Sequence, residues 1–255
     1  MRKHNEHGNA LFLILIAVAL FAALSYAVTQ SGRGGGNVDR ETLLIETAQL
    51  VQYISSITQA VQRLQLINGC SDTQISLLYD SDGDGTAETN GDDAFFNPNA
   101  PADGSCNVFS PNGGAITYIQ PSDTLRDTTE LTGANLFRSG DIVFAVDNEY
   151  FQVGTDGIAG QSTDLSLIIP YMNADACAQI NQSLGIEGNT QDTNISIPAS
   201  ITDPAAFVGV YPATPVGIVG DEAIGSALVG QATACVDETL SSTAGLHFYQ
   251  ILIER

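Results

Sequence analysis

The residues best suited to chemistry form one acidic run. Asp80, Asp82 and Asp84 alternate with Ser81 and Gly83, then Gly85, Thr86 and Glu88 follow. Carboxylates at loop positions 1, 3 and 5, a glycine at 6 and an acid at 9 match the first part of a calcium-binding loop. Alternate side chains would converge on one hard cation, and Thr86 would offer its backbone carbonyl. The closing bidentate acid belongs at position 12, which is Gly91, while Asp92 and Asp93 fall one and two residues late. Asp-Gly runs are also favoured in turns for backbone reasons alone. Calcium is therefore the one cofactor these residues suggest, and a solvated acidic turn is the competing reading.

Other chemistry finds little support. His4 and His7 lie near the start of the chain, and His247 lies in a strand-like segment. No G-x-S-x-G occurs, and the glycine run QSGRGGG at 30–36 lacks the lysine of a phosphate-binding loop. No enzymatic activity is expected. The formal charge of −21, from 29 acids against 8 bases, repels phosphate backbones and argues against nucleic-acid partners.

The four cysteines, Cys70, Cys106, Cys177 and Cys235, form no C-x-x-C pair. An even count in an exported domain points to two disulfides. Three pairings are open. Cys70–Cys106 with Cys177–Cys235 is favoured, because each bridge then closes a loop within its own half.

The elements around these residues follow from periodicity. Residues 10–28 read ALFLILIAVALFAALSYAV, an uncharged stretch. As one helix it rises about 28 Å, close to the ~30 Å of a hydrocarbon core. A transmembrane helix is therefore expected over 9–30, after a basic leader at 1–8. A Gly-rich joint is expected at 31–38. Leu44, Ala48, Val51, Ile54, Ile57, Val61 and Leu64 then recur at three and four, giving an amphipathic stem helix over 39–68. The remainder, 69–255, reads as a disulfide-bonded α+β head with a mainly antiparallel sheet and short helices. Strands are expected at 74–79, 115–119, 141–146, 150–153 and 164–169, with a hairpin at Asp147-Asn148-Glu149. A helix is expected at 175–184, and 246–253 should be a central strand.

Three readings of the N-terminus compete. Ser25-Tyr26-Ala27 resembles a secretory cleavage site, and a plain anchor fits equally. The third is a resemblance. The leader MRKHNEHG ends in Gly8 and an apolar stretch begins at once, which resembles the class III signal of type IV pilins and pseudopilins. That resemblance implies cleavage by a prepilin peptidase between Gly8 and Asn9. It also implies other pilin-like subunits as partners and an inner-membrane protein with its N-terminus cytoplasmic and its head outside. Asn9 and Leu13 stand where the family usually has Phe or Met, and Glu, a departure seen mainly in minor subunits. Pro170, Cys177 in a short helix and a late Cys235 are similar to the disulfide-closed region of type IVb pilins. The leading reading is a pilin-like structural subunit of a filament or secretion pseudopilus. The rival is a tethered acidic module that binds calcium or a partner without polymerising, and an anchored enzyme comes third.

Overall fold

The computed structural model describes residues 12, 14–23, 25, 35–79, 95–131, 141–154, 162–193, 195–198, 203–221, 226–238 and 245–255. The chain divides into two units, Met1–Thr42 and Leu43–Arg255, and the boundary falls inside the longest helix.

The first unit corrects the sequence reading. Its described residues 12, 14–23 and 25 are helical. Among the described residues no helix is long and apolar enough to cross a membrane. The transmembrane helix expected over 9–30 is therefore withdrawn.

Helix α1 spans Gly35–Leu66. It begins inside the glycine run expected to be a joint, and it stops where Gly69 takes φ +70°. Glycine reaches this left-handed conformation without a Cβ penalty. It lets the Cys70 amide turn back 3.1 Å onto the Leu64 carbonyl, as helix C-termini commonly do. Thr47, Leu50, Ile54, Ile57, Ala60, Val61 and Leu64 form the buried face. The stripe read from the sequence is right from Ile54 onward. In the first turns it is rotated: Leu44 and Ala48 are exposed, while Thr47 and Leu50 face the core. Burying a side chain the size of Ile57 or Leu64 contributes about 1.5–3 kcal/mol. Polar side chains fasten the same helix. Tyr53 donates to the Thr117 carbonyl at 3.0 Å and accepts from the Ile119 amide at 2.9 Å. Arg63 donates to the Gly114 carbonyl, and Asn68 to that of Ser105.

The sheet follows from β1 (Val143–Tyr150), β2 (Asp164–Ile169), β3 (Gly217–Val219), β4 (Thr233–Glu238) and β5 (Gly245–Ile253), in the order β3-β1-β2-β5-β4. Helix α2, Ala174–Leu184, lies between β2 and β3 in sequence. Three pairings are antiparallel, but β1 and β3 run parallel, so the sheet is mixed. Both β1 and β2 are buried at every residue, as strands covered on two faces should be, and they carry Asp147, Asn148, Glu149, Asp164 and Ser166 into that interior. Strand β5 is interior, with β2 and β4 on either side.

Four segments depart from the reading, among them 150–153, where β1 ends at Tyr150 and a turn follows. Asp147-Asn148-Glu149 makes no hairpin but lies within β1, beside a register shift between Ala145 and Asn148. Segments 74–79 and 115–119 are irregular, apart from a bridge from Ser76 to Asn107.

The outer edge of β4 is occupied. The Asn181 side chain of α2 accepts from the Cys235 amide at 2.8 Å and donates to its carbonyl at 2.9 Å. Asp237 bonds through its own amide to the Thr190 carbonyl, and its carbonyl accepts from the Asp192 amide.

Candidate functional site

The cysteines form two bridges, Cys70–Cys106 and Cys177–Cys235, with sequence separations of 36 and 58. The first ties the end of α1 to an irregular lobe at 95–131. The second ties α2 to β4. Gly8, Asn9, Asp80, Asp82, Asp84, Thr86 and Glu88 lie outside the described residues. Among the described residues no three His, Cys, Asp or Glu side chains gather as a metal centre requires.

His247 is fully buried and both ring nitrogens face partners inside the fold. Nδ1 accepts from the Tyr171 amide at 3.2 Å, and Nε2 lies 3.4 Å from the Glu238 carboxylate. Tyr171 has φ +54°, a strained backbone for a bulky residue, and the imidazole helps hold it there. This histidine positions backbone.

The irregular lobe carries an open cleft of about 910 Å³. Beside it, two segments of the lobe cross closely at Gly113-Gly114. A Cβ on Gly114 would lie 2.3 Å from the Val108 carbonyl oxygen, so only glycine allows that approach. Four aromatic rings contribute to its wall: Tyr79, Phe96, Phe109 and Tyr118. Tyr79 stacks on Tyr118 with ring centres 3.7 Å apart, and Phe109 stands edge-on to Tyr118 at 83°. Such pairs each contribute about 0.5–1.5 kcal/mol beyond simple burial.

The polar side chains of the cleft largely have partners within the fold. Asn97 donates to the Thr73 and Ile75 carbonyls and accepts from the Asn99 amide. Asn107 donates to the Leu78 carbonyl and accepts from the Phe109 amide. The Tyr118 hydroxyl donates to Asp141 at 3.0 Å and accepts from the Ile142 amide at 3.1 Å. Burial, reinforced by Tyr79 and Asp141, pushes the Tyr118 phenol well above its ordinary range, so it stays neutral. Burial likewise pushes the nearby Arg126 guanidinium down to about 10, against the pull of the Asp141 and Asp123 carboxylates.

A second polar locus sits in β1. The Asp147 carboxylate is buried. One oxygen accepts from the Ser196 hydroxyl, and the other has no hydrogen-bond partner among the described residues. Burial pushes its pKa up, and Asp203 adds to the rise.

The aromatic cleft was not anticipated from the sequence. The signal available was the density of Asn, Pro, Gly and Phe over 95–114, which marks a lobe built from turns. The convergence of Tyr79 and Tyr118 across 39 positions leaves no local pattern. No protein family, curated protein or solved structure matches the chain.

Proposed function

We propose that the chain is a pilin-like structural subunit whose head sits outside the cytoplasm and whose N-terminal region joins neighbouring subunits of a filament or secretion pseudopilus. The observation that carries this reading is the uneven use of apolar side chains. From Thr47 to Leu64 helix α1 buries one face in the head core. Earlier in the chain Phe12, Ile14, Leu15, Val18, Leu20 and Phe21 remain exposed, Phe21 by 74%, and Ile45 is 58% exposed. Apolar surface of this extent marks an interaction site in a folded protein. Neighbouring copies or related subunits would cover it. Two disulfides support a location outside the reducing cytoplasm. The resemblance of the N-terminus to class III signals supports cleavage between Gly8 and Asn9.

The test places a photo-crosslinking amino acid at Phe21 and at Ile45 in cells, with the mature N-terminus sequenced in parallel. The expected result is a crosslinked ladder of this chain or a pilin-like partner, on protein that begins at Asn9. Crosslinks to neither, with a mature chain beginning at Val28, would replace the subunit reading with a secreted binding module.

A further inference from the structure

We propose that the aromatic cleft of the irregular lobe binds a quaternary ammonium, a cation with an apolar shell, against Phe96, Phe109 and Tyr118. Three observations select this class. The first is the wall: Phe109 and Tyr118 meet nearly at right angles, and half-buried Phe96 lines the same cleft. Aromatic rings attract cations through their negative faces, and clustered rings are the usual device for ammonium groups that cannot donate hydrogen bonds.

The second is charge. The described lining residues include one carboxylate, Asp103, and no base. Asp103 is fully exposed, and its bonds to Ser105 hold its pKa below the ordinary value, so it remains ionised. Arg63 reaches the adjoining loop but donates to the Gly114 carbonyl and is not part of the wall. Arg126 is not among the described lining residues, and the Asp141 and Asp123 carboxylates offset its charge. The chain as a whole is strongly acidic.

The third observation separates this ligand from a sugar, the other ring-stacking candidate. A sugar needs directional hydrogen bonds to its hydroxyls. Asn97, Asn107 and Tyr118 already have partners within the fold, which leaves only Ser76, Ser110, Thr117 and Asp103 among the described lining side chains to serve one. A quaternary ammonium asks for no hydrogen bond, only for rings, negative potential and desolvation.

The experiment titrates the full chain with tetramethylammonium chloride, with sodium chloride at equal ionic strength, and with a neutral methyl glucoside. Tyrosine fluorescence and calorimetry report binding. Saturable binding of tetramethylammonium alone is expected. Phe96→Leu should weaken it about two- to fivefold, the contribution of one ring at a partly exposed site. Phe96 takes no part in the Tyr79–Tyr118–Phe109 stack, so this variant should keep the wild-type melting temperature. Asp103→Asn should weaken binding further and flatten its salt dependence. Absence of saturation by tetramethylammonium in the wild type would overturn the proposal. So would equal saturation by the glucoside, or an unchanged affinity in a folded Phe96→Leu variant.

Discussion

The two halves of the head solve the same problem by different means. The lobe at 95–131 has no strand among its described residues, and its backbone is held by side chains. Asn97, Asn99, Asn107 and Asn112 each bond to carbonyls or amides elsewhere in the chain. The other half is a five-stranded ladder whose inner strands β1 and β2 are buried along their length. A ladder distributes stability over many equivalent bonds. A lobe of turns concentrates it in a few amides and one bridge, so single changes there should have larger and more local effects.

The sharpest test of that contrast removes one disulfide at a time. Loop-closure entropy assigns about 4 kcal/mol to each bridge, slightly more to the 58-residue separation. The architecture predicts a different distribution of damage. Replacing Cys70 and Cys106 by serine should lose about 4 kcal/mol and abolish amide exchange protection over 106–116. Replacing Cys177 and Cys235 should lose a similar amount or less, yet leave β1, β2 and β5 protected. Equal loss of protection in both regions would erase the distinction.

Asn97→Ala comes next. The amide is buried and makes three hydrogen bonds, so its removal strands two carbonyls and an amide, at about 2–3 kcal/mol. Chemical denaturation reads the loss directly. Asn181→Ala should cost less, about 1–2 kcal/mol, because its partners lie at a part-buried sheet edge that water can reach.

What the sequence allowed to be read divides along the same line. Strand β2, helix α2 and strand β5 were foreseen at nearly their observed bounds, because their periodicity is local and Gly185 marks the end of α2. The Asp147-Asn148-Glu149 turn failed because tertiary partners override turn propensity. Asn148 is buried and exchanges two hydrogen bonds with the Ser196 backbone, which satisfies a polar residue inside a strand. Segment 115–119 looks like a strand but starts at Ala115 with φ +54°, and the Tyr53 hydroxyl takes the place of a neighbouring strand. The cleft depends on contacts between residues far apart in the chain and was invisible for that reason. The apolar stretch near the N-terminus misled in the opposite direction. Composition suggested a spanning helix, whereas among the described residues no helix is long and apolar enough to cross a membrane.

The smallest effect belongs to the sheet half. With its pKa raised by burial, Asp147 is more costly ionised than protonated in the fold. That cost is absent below the unfolded carboxylate value, grows as pH rises from the unfolded towards the folded value, and is complete above the folded one. Asp147→Asn should therefore raise the melting temperature by a few degrees at most at neutral pH, and by less in mild acid. A variant less stable at neutral pH would show that the Ser196 bond outweighs the burial penalty.

The occupied edge of β4 has a consequence for how copies of this chain can meet. An open strand edge is a template on which a second chain can grow fibril-like, one backbone ladder after another. Here a side-chain amide from α2 caps Cys235, and the backbone at Thr190 and Asp192 caps Asp237. Runaway strand templating is closed to this edge even at the high local concentrations of an assembled polymer. Ordered association at this edge must then use side-chain surfaces, whose shape and charge can limit the number and the orientation of the partners.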